Sequence, residues 1–297
     1  MLEIKLILCP IDFSELSVRA YYHALSVAEY YQAKVAALHV VDLSQYPSLG
    51  FAATAGLYNE SSRAFYDDAE EQLQKFVKRH TNSEIQPELS VELGDAPDTI
   101  LSFAQARNAD VIVMGTHGRR GYDRLMLGSV TNRVMRTSPR PVLVACKPPH
   151  ESTAGADKRG HHVHHLSRIL FCADFSENSE RALKYAISLT SEYDAELTLL
   201  HVLEKVPRPA KAAETIVAAT EQLEKLIPAE ERKTLKIAPA VRIGKAYEQI
   251  IQFTLESQTD LAVMGVRGRG GLDLAVFGST TYRVMQLGPC PVLASHV

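Results

Sequence analysis

The sequence predicts an α/β protein built from two tandem domains, each with a parallel sheet covered by helices. Short apolar runs rich in Val, Ile and Leu alternate with segments whose apolar residues recur at helical spacing, as in parallel sheets with crossover helices. The chain of 297 residues is long enough for two domains of about 150 residues, each with its own core. The same order of motifs also occurs once in each half, which indicates a tandem duplication.

Five strands are predicted in the first half. Residues 5–12 form an apolar run that ends at a polar residue, and residues 34–42 form a second run of the buried type. A third strand is predicted around 86–93. Residues 111–115 are four β-forming residues followed by a glycine, and 141–146 is a last apolar run. Together these runs predict a largely buried sheet.

Helices are predicted between these strands. One follows Phe13-Ser14-Glu15, and a second has its apolar face between Phe65 and Val77. A third helix is predicted near 98–108, and a fourth over 129–137 with Ser129 at or near its N-cap. Residues 43–60 show no periodicity and predict a loop or lid.

The second half repeats the first. The segment Asp12-Phe-Ser-Glu15 recurs as Asp174-Phe-Ser-Glu177 at an offset of 162 residues. Later motifs, such as Met114-Gly115 and Met264-Gly265, recur at an offset of 150. The difference falls after the second strand, where the first half contains its long loop. We therefore predict domains at 1–147 and 167–297, joined by a linker at 148–166 that is rich in Pro, Ser, Gly, Ala and His.

Composition excludes several classes of protein. The net charge of −3 and the pI of about 6.4 give no reason to expect nucleic acid or an anionic membrane as partner. With neither a signal-peptide pattern nor a run of about 18 apolar residues, the sequence predicts a cytoplasmic protein.

Cysteine and histidine residues suggest no dedicated metal site. The four cysteines are in or beside strand-like runs without a CxxC pair, which predicts small buried core residues. The linker contains His161-His162-Val-His164-His165, and clustered imidazoles can bind zinc, copper or nickel. A mobile linker lacks a fixed ligand geometry, so a solvated segment is the favoured interpretation.

A glycine motif follows the fourth predicted strand of each half. Gly115-Thr-His117-Gly118 is followed by nine residues and then by Gly128-Ser129-Val130-Thr131, and the second half has the same spacing. A strand, a glycine loop and a helix N-terminus form a site for anions, because free amides and the helix dipole favour negative charge. Two copies in the same strand context favour phosphate binding over a simple tight turn.

The predicted ligand is an adenine nucleotide. Ligands of doubly wound sheets bind beyond the carboxyl ends of the strands, where the strand order reverses. There Asp12 can accept hydrogen bonds from a base amino group or a ribose hydroxyl, and the glycine loop suits phosphates. The motif lacks the lysine of GxxxxGK[ST], and GxGxxG is expected after a first strand rather than a late one.

These residues resemble the nucleotide-binding signature of the universal stress protein family, and the resemblance covers both halves. It implies a Rossmann-like, doubly wound, five-stranded parallel sheet of strand order 3-2-1-4-5 in each domain, and binding of ATP, with Mg²⁺ as an accompanying ion. The implied binding residues of the first half are Pro10, Asp12, Val40, Met114, Gly115, His117, Gly118, Gly128, Ser129, Val130 and Thr131. Those of the second half are Asp174, Val202, Met264, Gly265, Arg267, Gly268, Gly278, Ser279, Thr280 and Thr281.

The two halves differ at two of these positions, and three functional hypotheses stay open. Cys172 replaces Pro10, and Arg267 replaces His117. The first hypothesis is a nucleotide-binding, stress-linked regulatory module with an unknown protein partner. The second is a slow ATPase or self-phosphorylating protein, in which Asp123 and Asp273 of the nine-residue loops would be candidates. The third is an oligomerisation module with vestigial sites.

The last predicted strand of each half indicates how the two halves pair. Residues 141–145 and 291–294 are short apolar runs, and a terminal strand in this topology lies at a sheet edge. An exposed apolar edge favours pairing with another strand. Relatives in the family tend to dimerise through this strand, so the resemblance implies an internal pseudo-dimer, or pairing with a second chain in a homo-oligomer.

Overall fold

The computed structural model describes residues 3–42, 60–81, 84–116, 127–146, 166–205, 209–266 and 278–295. The helices of the first half are α1 (Glu15–Tyr31), α2 (Glu60–His80), α3 (Ala96–Ala106) and α4 (Ser129–Thr137). Its strands are β1 (Leu6–Pro10), β2 (Lys34–Asp42), β3 (Glu88–Gly94), β4 (Val111–Gly115) and β5 (Val142–Ala145).

The second half repeats this order. Its helices are α5 (Glu177–Glu192), α6 (Ala212–Lys225), α7 (Ala229–Thr234), α8 (Ala246–Glu256) and α9 (Ser279–Leu287), with a 3₁₀ turn at Pro209–Lys211. Its strands are β6 (Arg168–Ala173), β7 (Glu196–Leu203), β8 (Lys236–Ile243), β9 (Leu261–Gly265) and β10 (Val292–Ser295). Corresponding elements are 162 residues apart up to the second strand and 150 apart from α3 and α8 onward, so the predicted duplication is reproduced in the structure.

The strand order confirms the predicted fold class. The chain divides into an N-terminal unit, Glu3–Arg140, and a C-terminal unit that combines Pro141–Ser152 with His165–Val297. The N-terminal unit has parallel strands in the order β3-β2-β1-β4, and the C-terminal unit has the parallel order β8-β7-β6-β9-β10. The order reverses beside β1 and β6, and in doubly wound sheets of this order right-handed crossovers generally place helices on both faces.

β5 belongs to the C-terminal unit, although it comes from the first half of the sequence. It pairs antiparallel with β10, with Leu143 opposite Leu293 and Val144 opposite Val292. Leu143 and Leu293 are corresponding residues of the two halves, and the flanking pairs Val144–Val292 and Val142–Ala294 exchange their neighbours, so the pairing is symmetric about Leu143 and Leu293. The prediction that the two terminal strands meet is therefore confirmed for β5 and β10. The domain boundaries given above and the assembly with further chains stay predictions.

Several predicted element ends shift by a few residues, and local chemistry explains two of them. The third helix begins at Ala96 rather than near residue 98, because the Asp95 side chain accepts a hydrogen bond from the Asp98 amide and caps the helix. Gly128, not Ser129, is the N-cap residue of α4, and Ser129 is its first helical residue. The first strand ends at Pro10 rather than Asp12.

The cores centre on the middle strands of each unit. Ile7, Leu8, Ile112 and Val113 are fully buried in the N-terminal unit, as continuous apolar strands require in a sheet covered on both faces. All four cysteines are buried thiols, as predicted: Cys9, Cys146, Cys172 and Cys290. Burial raises the pKa of the thiols of Cys9, Cys172 and Cys290 well above the usual range. No helix in the described ranges is long and apolar enough to cross a membrane.

Candidate functional site

A cleft of about 110 Å³ lies at the carboxyl ends of β1, β2 and β4 in the N-terminal unit. It is the place where the strand order reverses, and seven of the residues predicted from the sequence line it. These are Pro10, Asp12, Val40, Met114, Gly115, Val130 and Thr131. Sequence reasoning missed the other lining residues, which are Ile11, Ser17, Leu38, Ala96 and Ile100.

The carboxylate of Asp12 is held at the end of β1 by the turn that follows it. Its Oδ1 atom accepts hydrogen bonds from the Ser14 amide at 3.0 Å and the Ser14 hydroxyl at 2.6 Å. The Ser14 hydroxyl oxygen in turn accepts a hydrogen bond from the Ser17 amide at 3.1 Å and caps α1. Oδ2 of Asp12 has no hydrogen-bond partner within the described ranges, so it can accept one from a ligand.

The N-terminus of α4 is attached to the end of β4 by two hydrogen bonds. The Gly128 amide donates to the Thr116 carbonyl at 2.7 Å, and the Thr131 hydroxyl donates to the Gly115 carbonyl at 2.7 Å. Neither bond uses the amides of Ser129, Val130 and Thr131, which have no backbone acceptor within the described residues. First-turn amides without a backbone acceptor and the helix dipole together suit a negatively charged group.

Gly115 has a packing role that the sequence did not reveal. A Cβ atom at this position would lie 2.8 Å from the Leu16 Cβ and 3.0 Å from the Leu16 carbonyl carbon and oxygen. The same holds for Gly265, where a Cβ would lie 2.9 Å from the Asn178 carbonyl carbon. The first glycine of the motif is the last residue of β4 or β9. Because it has no Cβ, the end of this strand can approach the helix that follows the first strand of its unit.

The C-terminal unit builds the same arrangement from corresponding residues. Oδ1 of Asp174 accepts hydrogen bonds from the Ser176 amide at 3.0 Å and hydroxyl at 2.7 Å. The Thr281 hydroxyl donates to the Gly265 carbonyl at 2.9 Å, and Gly278 is the N-cap residue of α9. A Cβ on Gly278 would lie 2.7 Å from the Val266 carbonyl oxygen, so this close approach also requires glycine.

The remaining predicted residues of this unit occupy matching positions. Ser279 and Thr280 are the first two residues of α9. Met264 is buried in β9, and Val202 is half-buried in β7. Cys172, which replaces Pro10, is paired with Leu200 just as Pro10 is paired with Leu38, so the substitution preserves the register.

Four predicted binding residues lie outside the described residues, and so do the two loop aspartates. They are His117, Gly118, Arg267, Gly268, Asp123 and Asp273. The His-rich segment of the linker also lies outside them. Within the described ranges, no three His, Cys, Asp or Glu side chains are grouped to hold a metal ion.

The wall formed by α3 distinguishes the two halves. In the N-terminal unit, Nη2 of Arg133 in α4 donates to both carboxylate oxygens of Asp98 at 2.7 and 2.8 Å, and its Nη1 donates to Asp95 at 3.0 Å. In the C-terminal unit the corresponding Arg283 lies over the Tyr247 ring, with 4.5 Å from its Cζ to the ring centroid. In the sequence, the turn Gly94–Pro97 could have indicated this wall. β3 pairs in parallel with β2, so α3, which follows β3, begins at the edge of the sheet where β2 ends.

Comparison with known proteins places both halves in one family. The model of the universal stress protein family matches residues 3–145 and 165–296. Universal stress protein MJ0531 of Methanocaldococcus jannaschii is 36% identical over 147 residues, which are 50% of this chain and 85% of that protein. Universal stress protein YxiE of Bacillus subtilis is 31% identical over 144 residues, with 43% and 97% coverage. A solved universal stress protein from Archaeoglobus fulgidus shares the fold, with a TM-score of 0.70, 22% identity, and coverage of 98% of this chain and 95% of that one.

Proposed function

The chain belongs to the universal stress protein family over both of its halves, and on this premise we propose that it binds ATP at the strand ends of each half. The bound nucleotide sets the conformation of the protein or its choice of protein partner in a stress response. The protein acts in this proposal as a regulatory module rather than as an enzyme that turns over a metabolite.

The observation that carries the proposal is the convergence of the predicted residues on one cleft. Asp12, Val40, Gly115 and Thr131 are far apart in sequence, and they line the same cleft at the point where the strand order reverses. Clefts at this point of an open α/β sheet are the usual binding sites of such folds. The second half supports a second site, because Asp174 and Thr281 make the same hydrogen bonds there.

Each part of the cleft suits one part of an adenine nucleotide. Oδ2 of Asp12 can accept a hydrogen bond from the adenine amino group or a ribose hydroxyl, since an ionised carboxylate is an acceptor only. The partly exposed side chain of Val40, with Ile100 also in the lining, suits a face of the base. The first turn of α4 offers amides to the phosphates. Mg²⁺ is expected to accompany these phosphates, because it is commonly bound through phosphate oxygens and water.

The first test identifies the ligand directly. Freshly purified protein is denatured, and the released small molecules are analysed by mass spectrometry. We expect an adenine nucleotide in an amount of up to two per chain. Recovery of no nucleotide, together with no ATP binding in calorimetry, would favour an oligomerisation module with vestigial sites. Turnover of radiolabelled ATP by the purified protein would instead identify a slow ATPase or a self-phosphorylating protein.

The second test concerns Asp12. Asp12→Ala should weaken ATP binding at the first site by about 1–3 kcal/mol, the usual worth of a hydrogen bond to a charged group, or about 5- to 150-fold in Kd. Binding of inorganic triphosphate should change little, since Asp12 contacts the nucleoside end. Ser14→Ala is a control for the local structure: it removes the hydroxyl hydrogen bond to Asp12 and the side-chain cap of α1, but it leaves the carboxylate and its hydrogen bond from the residue-14 amide. Equal losses for ATP and triphosphate would show that Asp12 acts on phosphates or on folding.

A further inference from the structure

The residue after Asp12 has an unusual backbone conformation. Phe13 has a φ of 63°, in the left-handed region that an aromatic side chain rarely adopts. It joins the end of β1 to Ser14, the N-cap residue of α1. The direction in which the Asp12 carboxylate points therefore depends on a strained turn, and such a turn persists only where its surroundings hold it.

His39 of β2 holds this turn from two sides. Its Nδ1 atom lies 2.7 Å from the Ile11 carbonyl oxygen, and because a carbonyl only accepts, Nδ1 carries the hydrogen. Its ring packs on the Phe13 ring, with 4.5 Å between centroids and 42° between planes. One side chain thus fixes the residue before Asp12 and the residue after it. His39 also directly precedes Val40, which lines the cleft.

The C-terminal unit contains the same arrangement of a left-handed turn and a histidine that contacts it. Phe175 has a φ of 59°, and its ring lies 4.6 Å from the His201 ring at an angle of 43°. Nδ1 of His201 lies 2.7 Å from the Ala173 carbonyl oxygen. The residue two positions before the aspartate differs between the halves, being Pro10 in one and Cys172 in the other, yet the histidine geometry is unchanged.

We propose that His39 and His201 are positioning residues that hold the left-handed turns and thereby aim the carboxylates of Asp12 and Asp174 at the nucleoside end of the ligand. This proposal rests on the proposed function. Loss of the imidazole leaves the Ile11 carbonyl without this donor and removes the His39 ring from the Phe13 ring, which still has an edge contact with the Phe76 ring at 5.8 Å. Asp12 then samples directions that do not meet the ligand. The phosphate end of the site, which α4 builds, is unaffected.

The experiment compares two ligands in variants of the first site. A background of Asp174→Ala weakens the second site, so that calorimetry reports mainly on the first. His39→Leu should weaken ATP binding about 3- to 12-fold, the range that one ordinary hydrogen bond supports, and leave inorganic triphosphate binding unchanged. His39→Asn places an amide donor where Nδ1 was but supplies no aromatic ring, so it should restore a large part of the ATP affinity lost in His39→Leu. Adding Phe13→Gly to His39→Leu should recover part of the loss, since glycine adopts positive φ without strain.

The outcomes separate this proposal from the proposed function. If Asp12→Ala weakens ATP binding and His39→Leu does not, the histidine has no positioning role and nucleotide binding stands. Equal weakening of ATP and triphosphate by His39→Leu, or failure of His39→Asn to restore affinity, would also overturn the positioning role. If the wild-type chain binds neither ligand, the proposed function fails, and this proposal fails with it. Circular dichroism checks folding, and His201→Leu in an Asp12→Ala background gives the same comparison at the second site if His39→Leu does not fold.

Discussion

Gly115→Ala should destabilise the fold before it affects any ligand. The new methyl group would lie 2.8 Å from the Leu16 Cβ and 3.0 Å from two backbone atoms of Leu16. These atoms are part of α1, so they cannot yield by a rotamer change, and the strand end and the helix must separate. Overpacking by a methyl group costs about 1–3 kcal/mol, while the stiffer unfolded chain of an alanine variant returns about 0.4–1 kcal/mol. The net expectation is a loss of about 1–2 kcal/mol.

Urea unfolding without nucleotide measures this change, with the free energy taken by linear extrapolation. Gly265→Ala is the matched variant, because its Cβ would meet the backbone of Asn178 and Ser179 at 2.9 Å. Gly115→Ala should also weaken ATP binding, because the Gly115 carbonyl accepts the hydrogen bond that ties Thr131 and α4 to β4. An unfolding free energy equal to or above that of the wild type would refute the packing role of Gly115.

Three further predictions concern other parts of the chain. Gly118→Val with Gly268→Val should abolish ATP binding with the fold intact, because a branched side chain would intrude where phosphates approach. Calorimetry measures the affinity, and a wild-type affinity in the folded double variant would contradict the glycine-loop interpretation. Val142→Asp with Val292→Asp would bury two unpaired carboxylates in the β5–β10 pair and should expose β5 to hydrogen exchange, whereas unchanged protection would contradict the role of this pair. Burial raises the pKa of the thiols of Cys9, Cys172 and Cys290, so the folded state retains protons that the unfolded chain releases above about pH 8.5. The stability that these thiols contribute is therefore present below that pH and is lost as the pH rises. The urea midpoints at pH 7 and pH 10 should differ less in a triple Cys→Ala variant than in the wild type. Equal differences in the two proteins would contradict this reasoning.

Much of the fold could be predicted because local patterns specify it. The apolar runs at 34–42 and 111–115 and the helix at 129–137 have the bounds that the sequence predicted. Asp12 and Asp174 both lie just beyond a first strand, as the duplicated segments implied. The predicted ends of helices and strands were less accurate where a single side chain sets the end, as the Asp95 cap does at the start of α3.

The sequence by itself determined the alternation of strands and helices, the duplication, the family resemblance and the identity of most residues at the strand ends, because each of these depends on periodicity or on motifs of neighbouring residues. The tertiary structure decided what those residues contact. It brought Ala96 and Ile100 of α3 to the wall of the cleft, and it set Gly115 against the backbone of α1. It also placed the imidazole of His39 on a turn 26 residues earlier in the chain, between the carbonyl of Ile11 and the ring of Phe13. Contacts of this kind join segments that are separated in sequence, and their distances follow from how the helices pack on the sheet, which no local pattern encodes.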